Sequence, residues 1–317
     1  MSLDVIVVGG GVSGLATAVV LAERGQRVRV WSAEEAEHTT SAVAGGLWWP
    51  YRIEPNNLVG PWSARTLGVY ESLAGRPRET GVRLVPGTVV GGTVAELGDW
   101  AASVTGLRAA HAGELPPGHT KGVRARVPLV DMPVHLAWLR RRLEAAGGTV
   151  ERRAVHALAE AAALAPVVVN CTGIGARELA DDPGVVPVRG QLVLVENPGL
   201  TEWLVLPDDG GSESAYLLPQ PGRLVLGGTA EEGDWRREAD PATAAAIVER
   251  CARAVPEVAR ARVLGHRVGL RPVRRGGVRI EAERIPGGGL LVHNYGHGGA
   301  GVTVAWGCAH ATAELVP

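Results

Sequence analysis

The stretch DVIVVGGGVSG, residues 4–14, decides the first part of the fold. It joins a nearly continuous apolar run at 3–8 to a glycine-rich turn, and residues 15–24 then carry helix-forming side chains before Gly25, a natural helix end. A second apolar run follows at 28–31. This order predicts a strand, a glycine loop, a helix and a strand within about 30 residues, the opening of a doubly wound nucleotide-binding fold.

The turn has the Gly-x-Gly-x-x-Gly spacing, with glycines at Gly9, Gly11 and Gly14. The first glycine permits the tight turn, the second lets a pyrophosphate approach the backbone, and the third lets the helix pack closely on the strand. The helix start at Val12 and Ser13 adds N–H donors and a partial positive charge. We therefore predict that this turn binds the phosphates of a dinucleotide.

An acidic residue at the end of the second strand usually holds the ribose hydroxyls in such folds. Here Ser32 or Ala33 occupies that position, and Glu34 and Glu35 follow directly. Either glutamate could take the role, and the alternative is that both are solvated loop residues.

The rest of the chain predicts two interleaved layers. Helical patterns occupy 62–73, 135–146, 241–255 and 301–315, strand patterns occupy 150–153, 167–170 and 290–293, and the runs 216–219 and 224–227 are separated by a turn typical of a hairpin. We predict an α/β protein in which a doubly wound domain alternates along the chain with an α+β domain built on an antiparallel sheet. The predicted ranges are 1–50, 135–190 and 285–317 for the first domain, and 51–134 and 191–284 for the second.

Composition limits the classes of partner. The 32 basic and 33 acidic residues nearly balance, so no general attraction to nucleic acid or to an anionic membrane is expected. No apolar run reaches the roughly 18 residues of a spanning helix, and the N-terminus lacks the pattern of a signal peptide. The three cysteines are widely spaced without a CxxC, which indicates reduced thiols. We expect a soluble, cytoplasmic protein that acts on a small molecule.

Five motifs carry a family resemblance. TTSAVAGGLW at 39–48 joins hydroxyl residues, which can bond a phosphate, to small residues that let the backbone lie against a flat ring. Together with VVNCTG at 168–173, PVRGQ at 187–191, GLRPVR at 269–274 and HNYGHGGAGVT at 293–303, it resembles the D-amino acid oxidase family, and only residues 75–130 lack a match.

The resemblance implies a Rossmann-like FAD-binding domain and a substrate domain, with FAD as the cofactor. The residues it assigns to FAD, beside the glycine turn and Glu34 or Glu35, are Thr39, Thr40, Ser41, Gly45, Gly46, Leu47, Val155, Cys171, Thr172, Gly173, Gly298, Gly299, Ala300, Gly301, Val302 and Thr303.

The resemblance also implies a substrate site. Arg271 would grip the substrate carboxylate with its planar fork, assisted by the hydroxyl of Tyr216, and a backbone carbonyl in the Gly299 loop would hold the amine. Trp49 and Leu47 would line the pocket. The implied activity is hydride transfer from a D-amino acid to the flavin, with dioxygen as acceptor and a 2-oxo acid, ammonia and hydrogen peroxide as products.

The distribution of charged residues predicts which substrate side chains are preferred. Residues 190–222 contain no Lys or Arg, whereas Asp208, Asp209 and Glu213 precede Tyr216. An anionic side chain would be desolvated there without a partner. We predict a preference for neutral, apolar D-amino acids over D-aspartate and D-glutamate.

Other functions remain open at this level. A glycine or sarcosine oxidase or a D-aspartate oxidase would share the fold, a nicotinamide-dependent dehydrogenase would use the same glycine turn, and a non-catalytic module would bind a nucleotide only. A metal site is not indicated, because His293 and His297 flank a glycine loop rather than one helix face. The sequence leaves a homodimer open.

Overall fold

Two sheets organise the chain in a computed structural model, which describes residues 4–50, 53–207, 214–285 and 289–317. The helices are α1 Val12–Glu23, α2 Thr40–Val43, α3 Asn56–Leu73, α4 Pro77–Thr80, α5 Met132–Ala145, α6 Ala159–Ala162, α7 Ala176–Leu179, α8 Pro241–Ala254 and α9 Gly301–Glu314. The strands are β1 Asp4–Val8, β2 Arg27–Ser32, β3 Val82–Val90, β4 Arg108–Ala109, β5 Gly122–Val130, β6 Thr149–Arg152, β7 Val167–Asn170, β8 Val185–Val195, β9 Trp203–Leu206, β10 Ala215–Gln220, β11 Arg223–Gly227, β12 Glu231–Glu232, β13 Val263–Arg274, β14 Arg279–Arg284 and β15 Leu290–Tyr295.

The first sheet has the order β14-β15-β7-β1-β2-β6, parallel except for β14. Its central strand β1 is buried on both faces. Val5 and Val7 pack with α1, whereas Ile6 and Val8 pack with the residues around α6. A strand covered on both sides has no polar face, which explains why residues 4–8 do not alternate. The predicted doubly wound layer is confirmed.

The second sheet has the order β12-β8-β11-β10-β9-β3-β5-β4, and β13 pairs with β8. Its pairs are antiparallel except that β3 runs parallel to β9. The expected hairpin forms between β10 and β11, with Tyr216 opposite Gly227. Helix α8 covers one face through Ile247 and Cys251, which are fully buried. The opposite face is turned toward the first sheet and its helices.

Sheet membership departs from the predicted domain limits at two places. Strand β14 at 279–284 belongs to the first sheet, before the expected limit at 285, and β8 enters the second sheet at Val185, before the expected limit at 191. The cause differs between the two strands. β8 continues without a break into its pairing with the distant β13, whereas β14 forms a hairpin with β15 at the edge of the first sheet. Within the described ranges, none of the helices combines the length and apolarity required to cross a membrane.

Candidate cofactor and substrate site

A cavity of about 770 Å³ is lined by residues from both sheets. The first sheet contributes the loops that follow β1, β2, β7 and β15, all at the carboxyl ends of parallel strands. Ligands bind at this edge in open α/β sheets. The second sheet contributes side chains from β3, β8, β9, β10 and β13.

The β1–α1 turn is built around glycines that no other residue could replace without movement. Gly9 has a φ of +123°, and an added Cβ would overlap the Cys171 carbonyl. A Cβ on Gly14 would overlap the Gly9 carbonyl, so Gly14 serves helix packing and does not line the cavity. Gly11 faces the cavity, where its Cβ would lie 2.9 Å from Ser41 Oγ. This open turn at a helix start fits the pyrophosphate of FAD.

The two candidate glutamates, Glu34 and Glu35, differ in whether they line the cavity. Glu34 lines the cavity and accepts a 2.9 Å bond from Arg237, whereas Glu35 lies outside the lining and pairs with Arg152 at 3.3 Å. Arg153, absent from the sequence prediction, also lines this end, with its guanidinium 3.9 Å from the ring centroid of Trp31. A ribose ligand at this end would therefore meet Glu34.

The segment after β2 is held in place by bonds to the second sheet. Gly46 has a φ of +85°, and its carbonyl accepts from the Val130 amide of β5 at 2.9 Å. The two backbones lie so close that an added Cβ would overlap the Val130 carbonyl. Thr40 Oγ1 donates to the Leu270 carbonyl at 3.2 Å, and Ser41 Oγ accepts the first amide of α1, from Val12, at 2.9 Å. These contacts place residues 39–47 between the glycine turn and β13.

Arg271 and Tyr216 meet in the cavity from two strands of the second sheet, β13 and β10. Arg271 projects from β13, and its Nη1 donates to the Thr229 carbonyl at 2.8 Å. Burial raises the pKa of the Tyr216 hydroxyl, and the charge and hydrogen bond of Arg271 oppose that shift. The hydroxyl therefore stays protonated at neutral pH next to a guanidinium. Together they offer an anion two adjacent donor groups.

Two glycines provide the surface on which these side chains rest. An added Cβ on Gly190 would overlap three guanidinium atoms of Arg271, and one on Gly227 would overlap the phenol ring of Tyr216. Gly190 lies on β8 and Gly227 on the neighbouring β11. The position of the donor pair thus depends on the absence of side chains beneath it.

The loop before α9 forms the cavity wall beside Arg271. Gly298 and Gly299 line the cavity, and an added Cβ on Gly299 would lie 3.5 Å from Arg271 Cδ. His297 anchors the loop through Nε2, 3.0 Å from Asn294 Oδ1, and Nδ1, 3.5 Å from Ser13 Oγ. Burial lowers the pKa of His297 to about 4, so its imidazole is neutral.

One row of side chains crosses the second sheet toward the cavity. Leu192 lies opposite Gly227, Gly227 opposite Tyr216, Tyr216 opposite Val205, and Val205 opposite Val89. Opposed residues share a face of a sheet, and the four that carry side chains all line the cavity. The end of the cavity beyond Tyr216 is therefore apolar.

Most residues predicted for the site share this cavity. The predicted residues that line it are Gly9, Gly11, Val12, Ser13, Glu34, Thr39, Thr40, Ser41, Gly45, Gly46, Leu47, Trp49, Val155, Cys171, Thr172, Gly173, Tyr216, Arg271, Gly298, Gly299, Gly301 and Val302. The predicted residues outside the lining are Gly14, Glu35, Ala300 and Thr303.

Thr303, which the resemblance assigns to FAD, lies outside the cavity lining and is bonded to Trp49, which lines the cavity. Its Oγ1 accepts from the Trp49 amide at 3.3 Å and donates to the Trp49 carbonyl at 3.2 Å. Successive helix residues turn by about 100°, so a residue two places after Gly301 points away from the face that Gly301 presents to the cavity.

The chain is similar to known proteins along nearly its whole length. Residues 4–315 match the family model described as FAD dependent oxidoreductase. The chain is 63% identical over 313 residues to a D-amino-acid oxidase of Streptomyces coelicolor, covering 98% of this chain and 96% of that protein. It is 52% identical over 312 residues to a D-amino-acid oxidase of Rubrobacter xylanophilus, covering 98% and 94%.

A solved structure shows the same fold. The glycine oxidase from Geobacillus kaustophilus superposes with a TM-score of 0.80 at 21% identity, over 99% of this chain and 95% of that one. Because the family model and both relatives extend over nearly the whole length, the chain belongs to the FAD-dependent oxidoreductases and FAD is its cofactor.

Proposed function

We propose that the protein is a D-amino acid oxidase that oxidises neutral, apolar D-amino acids. The observation that carries this proposal is the pairing of Arg271 with Tyr216 beside the Gly298–Gly299 loop, in a cavity lined by a dinucleotide-binding turn. The activity is that of the two bacterial relatives, which are named D-amino-acid oxidases.

The chain's own groups orient the substrate. Arg271 forms a bidentate, charge-assisted pair with the α-carboxylate, and the Tyr216 hydroxyl donates a further bond to it. The Gly299 carbonyl accepts from the amine, which holds Cα between two fixed points. Orientation of this kind supplies much of the rate when a hydride is transferred directly and no general base is required.

The chemistry that bound FAD supplies is two-electron oxidation, with hydride taken from Cα and the electrons passed to dioxygen as hydrogen peroxide. The amine loses one proton, and the resulting imino acid is hydrolysed in water to a 2-oxo acid and ammonia. We propose that the glycine turn, Glu34, residues 39–47 and residues 171–173 hold FAD. Helix α9 begins at Gly301, so its positive N-terminal end lies at the cavity. There it would stabilise the negative charge that develops during hydride transfer.

The row of cavity-lining side chains that includes Leu192, Val205 and Val89 supports the expected preference for substrates with uncharged side chains. Among the described lining residues the basic groups are Arg153, Arg237 and Arg271, of which Arg153 stacks on Trp31 and Arg237 pairs with Glu34 at the β2 end. Arg271 is used by the α-carboxylate. A side-chain carboxylate next to Val89 and Val205 would lose its hydration without gaining a cation. Asp208, Asp209 and Glu213, the acidic residues that precede Tyr216 in the sequence, lie outside the described residues.

A peroxide-coupled assay across both enantiomers of a panel of amino acids tests the proposal. We expect peroxide with D-alanine, D-valine and D-methionine, none with the L-enantiomers, and kcat/KM for D-aspartate and D-glutamate lower by at least about tenfold. Dominant activity on glycine or sarcosine would assign the chain to the rival amine oxidases, and dominant activity on D-aspartate would assign it to the D-aspartate oxidases. We also infer a cytoplasmic location, which the three free, buried cysteines support.

A further inference from the structure

Trp49 is fixed in the cavity wall from three directions. Its ring meets the edge of Trp100 at 4.9 Å between centroids and 75° between planes, and it is tilted against Trp203 at 5.8 Å. Its backbone amide and carbonyl are both bonded to the Thr303 hydroxyl. A side chain held in this way has little freedom to change rotamer when a substrate enters.

Trp203 is itself held by a hydrogen bond and by close packing. It lies on β9 two residues before Val205, and its Nε1 donates to the Val85 carbonyl at 2.8 Å. Its ring lies over Gly87 on β3, where an added Cβ would overlap the indole. Trp203 and Val205 share one face of β9, so Trp49 reaches the apolar row next to Val205. Trp49 therefore borders the part of the cavity proposed for the substrate side chain.

Trp100 provides the other support without touching the cavity. It belongs to a 3₁₀ turn at Asp99–Ser103, between β3 and β4, and is only 8% exposed. It also packs edge-on against Trp48 at 5.7 Å. It is not among the lining residues, whereas Trp49, which it contacts, is one of them.

We propose that Trp100 is a positioning residue that sets the size of the substrate side-chain pocket by holding the Trp49 indole against Trp203. Resting on the proposed function, this assigns substrate-size selection to a residue in the stretch that lacks a family motif. With Trp100 in place the pocket wall is rigid, and bulky side chains are disfavoured. Without it the Trp49 ring can swing away and admit them.

The test compares Trp100→Leu with Trp138→Leu as purified holoenzymes. Trp138 is a buried indole on α5, 5% exposed and outside the cavity lining, so its loss controls for general destabilisation. We expect Trp100→Leu to raise the ratio of kcat/KM for D-phenylalanine to that for D-alanine by about tenfold, the scale on which apolar pockets discriminate by size. Trp138→Leu should leave the ratio unchanged, and Trp100→Tyr, which keeps an edge-on ring, should restore most of the native ratio.

A second readout is independent of turnover. Dissociation constants of acetate and benzoate, measured from flavin absorbance, should shift in favour of benzoate in Trp100→Leu only. If native enzyme oxidises no D-amino acid but this shift appears, the proposed function fails and the role of Trp100 stands. An unchanged size ratio together with unchanged relative affinities in a folded, flavin-loaded Trp100→Leu protein, or in Trp100→Met if the leucine variant does not fold, would overturn it.

Discussion

Substitution of Gly190 by alanine should disable substrate binding without removing a single polar group. The new Cβ would overlap Nη1, Nη2 and Cζ of Arg271, well inside the 3.0 Å that real Cβ atoms keep. Restoring a normal separation of about 3.5 Å requires the guanidinium to move by about 1 Å. Such movement strains the 2.8 Å bond from Arg271 to the Thr229 carbonyl and misdirects the fork that receives the carboxylate.

Misplacement by about 1 Å costs an enzyme about a hundredfold. We therefore expect kcat/KM for D-alanine to fall by about that factor, equivalent to about 2.7 kcal/mol of transition-state binding. The assay is steady-state peroxide production, with flavin content measured on each preparation. Gly265→Ala is the matched control, because Gly265 lies on β13 with no atom within 4 Å of an added Cβ. A flavin-loaded Gly190→Ala enzyme within twofold of the parent would refute the reasoning.

Three further predictions concern Arg271, the glycine turn and a buried histidine of α5. The Arg271→Ala protein should still bind flavin and be yellow, but its kcat/KM should fall at least about a hundredfold, because the substrate carboxylate loses a charged bidentate partner. Near-normal kinetics would remove Arg271 from the site. The Gly11→Val protein should be colourless, because the new side chain occupies the space through which the pyrophosphate approaches the backbone. Its Cβ alone would lie 2.9 Å from Ser41 Oγ. A full flavin-to-protein absorbance ratio would contradict this prediction. Burial lowers the pKa of His135 to about 4, against 6.5 for the ordinary group, so the unfolded chain takes up a proton first as the pH falls. The Tm of the native protein should therefore drop as the pH falls from 6.5 to 4. The drop should be smaller in His135→Gln than in His156→Gln, a control at an exposed histidine. Equal pH dependence of Tm in the two variants would contradict this prediction.

The sequence predicts the first sheet well because its signals are local. The run 4–8, the glycine turn and the following helix each depend on neighbours in sequence, and the structure confirms their order. The family motifs likewise mark segments that converge on one cavity. Glu34 and Glu35 could not be separated, since only the folded chain shows which of them faces the cavity.

Register between distant strands explains what could not be predicted. Gly190 lies beneath Arg271 because β8 pairs with β13 across about 80 residues, and no local pattern marks that approach. Trp100 belongs to residues 75–130, where the sequence shows no motif of the family, so its contact with Trp49 emerges only from packing. Thr303, which the resemblance assigns to FAD, lies outside the cavity lining with its hydroxyl bonded to Trp49, a packing contact that no local pattern marks.

Anaerobic mixing of the purified holoenzyme with D-valine or L-valine tests the central claim most directly. The proposed site predicts that D-valine bleaches the flavin absorbance, that L-valine leaves it unchanged, and that admitted air restores the colour with one hydrogen peroxide formed per 2-oxo acid. Bleaching by both enantiomers, or by neither D-valine nor any other neutral D-amino acid, would contradict it.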